Sequence, residues 1–337
     1  MSNLSLTFDS TAELQTGKII DTVKCADKSD QSYALYIPSY YQPGKLWPII
    51  YIFDPGAHGR IPIELMSEAA ERYGYILAAS NNSRNGQLDS QVKAAQSMFE
   101  DTHLRLSIND SCLYFAGFSG GARVAALLAG ECNCAQGVLL NSAGFSAASA
   151  PNHERNKFAV FAIAGLTDFN YDEMFLLNRT LDTLNCMHFL RRFDGTHQWA
   201  PKEVWQEGFA WMRLIAMKNG RQPNNEQFIS YELAASMHRA KAQQDSGNIY
   251  YAWLDYRNAL NIFQGLADIK QIEEQIALLD KNVGVIEGRE EEEREIDEQI
   301  TMQNKVLYFI QLMNTPKPKW LKGEQLNNYV ESGFTFR

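Results

Sequence analysis

Ser119, Asp168 and His197 are the residues whose types and spacing could do chemistry together. Ser119 sits in Gly117-Phe118-Ser119-Gly120-Gly121, with the apolar run Leu113, Tyr114, Phe115, Ala116 before it and small residues at Ala122, Ala125, Ala126 and Ala129 after it. The bare G-x-S-x-G pentapeptide arises easily by chance. A strand running straight into it and a helix leaving it make it a nucleophile elbow, a turn tight enough to strain the serine and to exclude side chains at the flanking glycines. A serine hydroxyl is a weak nucleophile until a neighbouring imidazole can take its proton. The imidazole needs a carboxylate to hold its tautomer and to stabilise the imidazolium that forms.

Both partners occur downstream. Phe158–Ala164 reads as a buried strand leading through Gly165, Leu166 and Thr167 to Asp168, and His188–Phe193 leads through Asp194, Gly195 and Thr196 to His197. Serine, then acid, then histidine, each after a strand, is the order such a triad takes on a parallel sheet. Asp172 and Asp194 are alternative acids, and Asp168 could instead cap the helix that follows. His58, His103, His153, His188 and His238 lack that combination of place and order. A tetrahedral intermediate also needs an oxyanion hole. The expected donors are the Gly120 N–H and an N–H of the glycine-containing loop Phe53–Arg60, at Ala57 or Gly56. Asn81, Asn82 and Arg84 follow another strand on the same edge and are candidates for binding a polar or carboxylated part of a substrate. The competing reading is a turn in which the asparagines bond backbone. Phe118 and Trp199 are candidate apolar walls, or core.

The elements that must position these residues alternate. Lys18–Cys25, Ser32–Ile37 and Trp47–Phe53 read as strands, the last a continuous apolar run suited to burial on both faces. Helices are expected over Glu64–Tyr73, Gln91–Leu106, Ala122–Ala129, Tyr171–Leu184 and Pro201–Met217, and further strands over Tyr75–Ser80, Cys112–Gly117 and Gly137–Leu140. Such alternation predicts an α/β fold: a mostly parallel central sheet covered by helices on both faces. After the turn-rich stretch Asn219–Asn225 the strand signals stop, so the expected division is a catalytic domain over residues 1–221 and an all-α extension over 222–337. Within the extension, Ala242–Ala252 with Tyr256, Ala259 and Phe263 resembles one tetratricopeptide-type helix pair, a plain helical appendage being the simpler reading. Its run of glutamates from Glu290 reads as the solvated face of a helix or coiled coil.

The chain of 337 residues is long enough for a large domain and a smaller one, and its net charge of -9 argues against nucleic acid or an anionic membrane as main partner. Met1–Phe8 carries no basic segment followed by an apolar run, and no stretch approaches a membrane span. A soluble protein is expected, cytoplasmic or periplasmic. The five cysteines do not suggest a disulfide scaffold, and Cys132-Asn133-Cys134 reads as incidental.

Several segments resemble the esterase D, feruloyl esterase and polyhydroxybutyrate depolymerase branch of the α/β-hydrolases. They are Tyr33-x-x-Tyr36-x-Pro38, Tyr41-x-x-Gly44-Lys45, Pro48 before the apolar strand, Gly165-Leu166-Thr167-Asp168, and Gly195-Thr196-His197-x-Trp199. The resemblance spans about residues 18–218. It implies the α/β-hydrolase fold and hydrolysis of carboxylic esters through an acyl-serine on a Ser119-Asp168-His197 triad. It also implies small-molecule or carbohydrate-linked ester substrates and no metal or organic cofactor. In one respect the chain departs from that branch, which has His-Gly after the apolar strand where this chain has Asp54-Pro55, with His58-Gly59 downstream. Proline has no N–H to donate, so the oxyanion loop must be built differently. Two other readings stay open: a serine peptidase on the same fold, and a non-catalytic protein whose residues 222–337 bind a partner or a second copy.

Overall fold

The computed structural model describes residues 15–27, 30–132, 134–146 and 158–313. Met1–Phe8, His153, Asn133 and residues 314–337 of the expected extension lie outside them. In chain order the elements are β1 (Ile19–Lys24), β2 (Ser32–Tyr36), β3 (Trp47–Phe53), α1 (Arg60–Tyr73), β4 (Ile76–Ser80), α2 (Leu88–Arg105), β5 (Ile108–Phe118), α3 (Gly120–Glu131) and β6 (Ala135–Asn141). They continue with β7 (Ala159–Gly165), α4 (Tyr171–Thr183), β8 (His188–Phe193), α5 (Lys202–Lys218), α6 (Glu226–Asp245), α7 (Ile249–Phe263), α8 (Lys270–Leu279) and α9 (Val283–Met313).

The strands form one sheet in the order β1-β2-β4-β3-β5-β6-β7-β8. β2 is antiparallel to both its neighbours, and every pair from β4 to β8 is parallel. Parallel strands joined through helices must be covered on both faces, and β4 and β7 are buried along their whole lengths. α3 packs on β3, β5 and β6, and α1 packs against α5. This is the α/β-hydrolase fold, with a helical C-terminal region.

Two differences from the expected boundaries have local causes. α1 begins at Arg60 rather than Glu64 because Pro62 falls in the first turn, where its missing N–H has no intrahelical partner to lose. β5 begins at Ile108 rather than Cys112, through the exposed and half-exposed residues Asn109, Asp110 and Ser111. Pro48 cannot donate to the ladder, and there the register slips: Trp47 faces Ile108 while Ile49 faces Leu113.

The described residues divide into two compact units, one with those up to residue 232 together with 262–267, the other with those of 233–261 and from 268 to 313. The first therefore extends past residue 221. At the start of α6, Phe228 lies edge-on to Tyr73 at 5.9 Å with the Arg213 guanidinium 4.5 Å over its ring, and Tyr73 O–H donates to Glu232. The second unit is helical in its described residues. Its Trp253 indole is flanked by the Arg257 and Arg289 guanidinium groups at 4.7 Å and 4.2 Å, and its N–H donates to Asp280. α6 and α7 are joined by a turn in which Gly247 takes φ 85°. Cys132 and Cys134 are disulfide-bonded, which corrects the reading of that pair as incidental. No helix among the described residues is long and apolar enough to cross a membrane.

One buried carboxylate fastens the antiparallel edge to the helical layer. Asp101 on α2 accepts the Ala26 N–H at 2.8 Å through one oxygen, and the Tyr33 hydroxyl and Arg105 Nε, both at 2.7 Å, through the other. Burial, together with the hydrogen bond to Asp101, pushes the Tyr33 phenol far up. Burial and the nearby Asp101 and Asp27 carboxylates push the Cys25 thiol up to about 12, so it stays protonated. Asp101→Ala strands the buried Tyr33 hydroxyl and the Ala26 N–H, and is expected to cost about 3 kcal/mol in urea unfolding, read as a lower midpoint at unchanged slope.

Candidate active site

Ser119 stands between the end of β5 and the first residue of α3 with φ 52° and ψ -124°. A residue with a Cβ rarely takes this conformation, and the neighbouring glycines make the turn possible. A Cβ at Gly121 would strike the Phe53 carbonyl of β3, and one at Gly117 would strike the Gly121 carbonyl and lie 2.6 Å from the Ala122 nitrogen. The exclusion of side chains thus comes from a neighbouring strand at Gly121 and from the start of the following helix at Gly117.

The loops after β7 and β8 are stitched together before either reaches the serine. Leu166 N–H donates to Phe193 C=O and Thr167 N–H to Gly195 C=O, at 2.9 Å and 3.0 Å. A Cβ at Gly165 would strike that same Gly195 carbonyl. This close packing brings Asp168 and His197 together. His197 Nδ1 lies 2.8 Å from Asp168 Oδ1, and its Nε2 lies 2.9 Å from Ser119 Oγ. With Nδ1 facing a carboxylate the ring proton sits there, which leaves Nε2 to accept from the serine hydroxyl. Asp168 is buried. Its Oδ1 also accepts the Asn170 N–H at 2.8 Å, while Oδ2 is buried with no hydrogen-bond partner among the described residues. Asp168 does not cap α4, whose N-cap is Asn170 without a side-chain cap hydrogen bond; its bond to the Asn170 N–H holds the loop just before the helix.

Asn141, fully buried at the end of β6, is a positioning residue the sequence reading missed. Its carbonyl accepts the Ser119 N–H at 2.9 Å, its Oδ1 accepts the Ala200 N–H at 2.8 Å, and its Nδ2 donates to Ser142 Oγ and to the Gln198 carbonyl. The available signal was an asparagine closing an otherwise apolar strand, where a buried amide must have partners.

Aromatic rings line the imidazole on two sides. Phe118 lies 4.8 Å and Phe169 4.0 Å from the His197 ring, centroid to centroid, and Phe118 also meets Trp199 at 5.5 Å. Phe169 is 73% exposed, an unusual position for a phenylalanine, and the sequence reading did not single it out.

The oxyanion loop differs from expectation. Gly56 N–H donates to Asp54 Oδ1 at 2.8 Å and Ala57 N–H to the Asp54 main-chain oxygen at 3.1 Å, so neither is free to act as the donor assigned to it. The cause is Asp54, which is buried. Its Oδ1 also accepts the His58 N–H at 3.1 Å and faces His58 Nδ1 at 3.2 Å, and its Oδ2 accepts the Trp199 indole N–H at 2.9 Å. Ala57 consequently takes φ 62°. Gly120 N–H, in contrast, has no partner among the described residues.

Asn81 and Asn82 are also corrected. Asn81 Nδ2 donates to the Asp21 carbonyl at 3.0 Å; Asn82 Oδ1 accepts the Ser32 N–H at 2.8 Å and its Nδ2 reaches the Asp30 carbonyl at 3.2 Å. Both amides hold the β1–β2 edge rather than facing a ligand. Arg84 is exposed, its backbone bridges to Gly56, and its guanidinium forms no ion pair among the described residues.

No protein-family model and no curated protein matches the chain. Among solved structures the chain is similar to a fluorophosphonate-binding serine hydrolase of Staphylococcus aureus, at 13% identity over 58% of this chain and 98% of that chain with TM-score 0.49. It is similar to the S-formylglutathione hydrolase of the same organism at 11% identity, 59% and 98% coverage and TM-score 0.46. A Pyrobaculum calidifontis esterase matches at 14% identity, 60% and 85% coverage and TM-score 0.45.

The positive φ at Ser119 yields a stability prediction. Ser119→Gly removes the Cβ that makes this conformation costly and is expected to stabilise the fold by about 1 kcal/mol, a rise of roughly 2–4 °C in Tm, offset in part by the greater freedom of glycine in the unfolded chain. Calorimetry against Ser119→Ala, which keeps the strain, isolates the effect.

Proposed function

We propose that the chain is a serine hydrolase acting on carboxylic esters, with Ser119 as nucleophile, His197 as general base and Asp168 as the residue that orients it. One observation carries the reading: an unbroken hydrogen-bonded path from Ser119 Oγ through His197 to Asp168, with steps of 2.9 Å and 2.8 Å, beyond the carboxyl ends of parallel strands.

As Ser119 Oγ attacks the ester carbonyl carbon, its proton passes to His197 Nε2. Buried Asp168 stabilises the imidazolium across Nδ1. The carbonyl oxygen becomes an oxyanion, for which the unpartnered Gly120 N–H is a donor. Collapse of the intermediate breaks the bond to the alcohol, which leaves with the imidazolium proton. Water then attacks the acyl-serine with His197 again as base, releasing the carboxylic acid and restoring Ser119. An ester is favoured over an amide by the Tyr33–Pro38, Asp168 and His197 segments, which resemble those of the esterase branch. The Phe118 and Phe169 rings flanking the imidazole favour an apolar acyl or alcohol group.

Purified protein is expected to hydrolyse short p-nitrophenyl acyl esters and to be labelled by a fluorophosphonate. Ser119→Ala should abolish labelling and lower kcat on the order of 10⁶-fold. Asp168→Asn should lower it by about 10⁴-fold through the wrong tautomer of His197. Turnover that survives Ser119→Ala would sink the assignment.

A further inference from the structure

An acyl-serine mechanism needs more than one donor for its oxyanion, and Gly120 supplies one. The expected second donors, Gly56 and Ala57, and their neighbours Pro55 and His58 have no N–H to spare. Pro55 lacks an N–H, Gly56 and His58 give theirs to Asp54 Oδ1, and Ala57 gives its own to the Asp54 carbonyl. Asp54 is in turn fixed from its other oxygen by the Trp199 indole. Freeing the Gly56 or His58 N–H would leave a buried carboxylate short of a donor, which is costly, and freeing the Ala57 N–H would open the turn that starts at Asp54.

The loop after β4 reaches the same spot. Asn85 N–H donates to the Pro55 carbonyl at 2.8 Å, and Arg84 pairs with Gly56 in an antiparallel bridge, so the backbone of this loop is fastened to the oxyanion loop. The Asn85 carboxamide lies against Gly120. A Cβ built on Gly120 would strike Asn85 Oδ1 and stand 2.8 Å from its Cγ and 3.2 Å from its Nδ2. Asn81 and Asn82 spend their amides on the β1–β2 edge, whereas the Asn85 side chain is exposed and has no hydrogen-bond partner among the described residues.

We propose that Asn85 is a catalytic residue, its Nδ2 donating to the oxyanion alongside the Gly120 N–H in place of the main-chain donor that Asp54 withholds. The inference rests on the serine-hydrolase reading above. A half-turn about Cβ–Cγ exchanges the two ends of a carboxamide, and with neither end bonded the turn breaks no hydrogen bond. Gly120 is glycine for the same reason: any side chain there would occupy the space of the Asn85 amide.

The test is steady-state hydrolysis of p-nitrophenyl acetate by the full chain and its Ser119→Ala, Asn85→Ala and Asn85→Asp variants, with melting curves for each. Asn85→Ala is expected to lower kcat about 10²–10³-fold with KM changed by less than about threefold, the pattern of a donor used in the transition state. Inhibition by a trifluoromethyl ketone, which forms the oxyanion on Ser119, should weaken in parallel with kcat/KM. Asn85→Asp keeps the size but sets a negative charge against the oxyanion, and should lose at least as much. A kcat within about threefold of the parent in a folded Asn85→Ala protein, with Ser119→Ala inactive, overturns this inference and leaves the serine reading standing. Should Asn85→Ala fail to fold, the isosteric Asn85→Asp decides, and near-parental turnover in it overturns the inference. A parent chain that neither turns over ester nor takes the fluorophosphonate label removes the serine reading, and Asn85 with it.

Discussion

Ser119 holds φ 52° and ψ -124° despite its Cβ, at a cost of about 1–3 kcal/mol that the surrounding backbone must absorb. Much of the neighbouring structure follows from that turn. Gly121 must lack a side chain because β3 runs past it, and Gly117 must lack one because α3 folds back over it. The Ser119 N–H is held by the Asn141 carbonyl of β6, and the Asn141 side chain holds the base loop at Gln198 and Ala200. One strand end thus fixes both the backbone of Ser119 and the segment that carries His197, and the 2.9 Å contact between Ser119 and His197 depends on that shared anchor.

The scaffold was readable in the sequence because it rests on strong apolar signals, and the three residues joined by hydrogen bonds were picked out by their order after such strands. Buried parallel strands appear as apolar runs such as Trp47–Phe53 and Ala159–Gly165, and the residues that matter follow them immediately. What escaped the reading depends on pairings between distant segments. Nothing in Asp54-Pro55 says that the carboxylate will turn back onto its own loop and also meet an indole 145 residues later. In Asn81-Asn82-Ser83-Arg84-Asn85 three asparagines look alike, and only the neighbouring strand decides which amides are consumed. The boundary between the compact units was displaced for a similar reason. A turn-rich stretch marks where strands stop, while Phe228 and Glu232 beyond it still pack on Tyr73.

Asp54 shows how one buried carboxylate can consume the N–H groups of its own loop. A carboxylate whose oxygens all take donors is a rigid part, and here it joins the Phe53–Arg60 loop to Trp199, two residues beyond His197. The β4–α2 loop lies against this fixed segment, held to it by the Asn85 N–H bond to the Pro55 carbonyl and the Gly56–Arg84 bridge.

Phe169 has its ring 4.0 Å from that of His197, yet remains 73% exposed. One face of the imidazole is therefore already dry before any ligand arrives, while the outer face of the phenyl ring is wetted at a cost the fold bears in its resting state. An arriving apolar group would release that water and recover the stored hydration free energy, on the order of 1 kcal/mol for about 40 Å² covered. Phe169 thus holds, beside the His197 ring, an exposed apolar surface whose burial by any apolar group would be favourable.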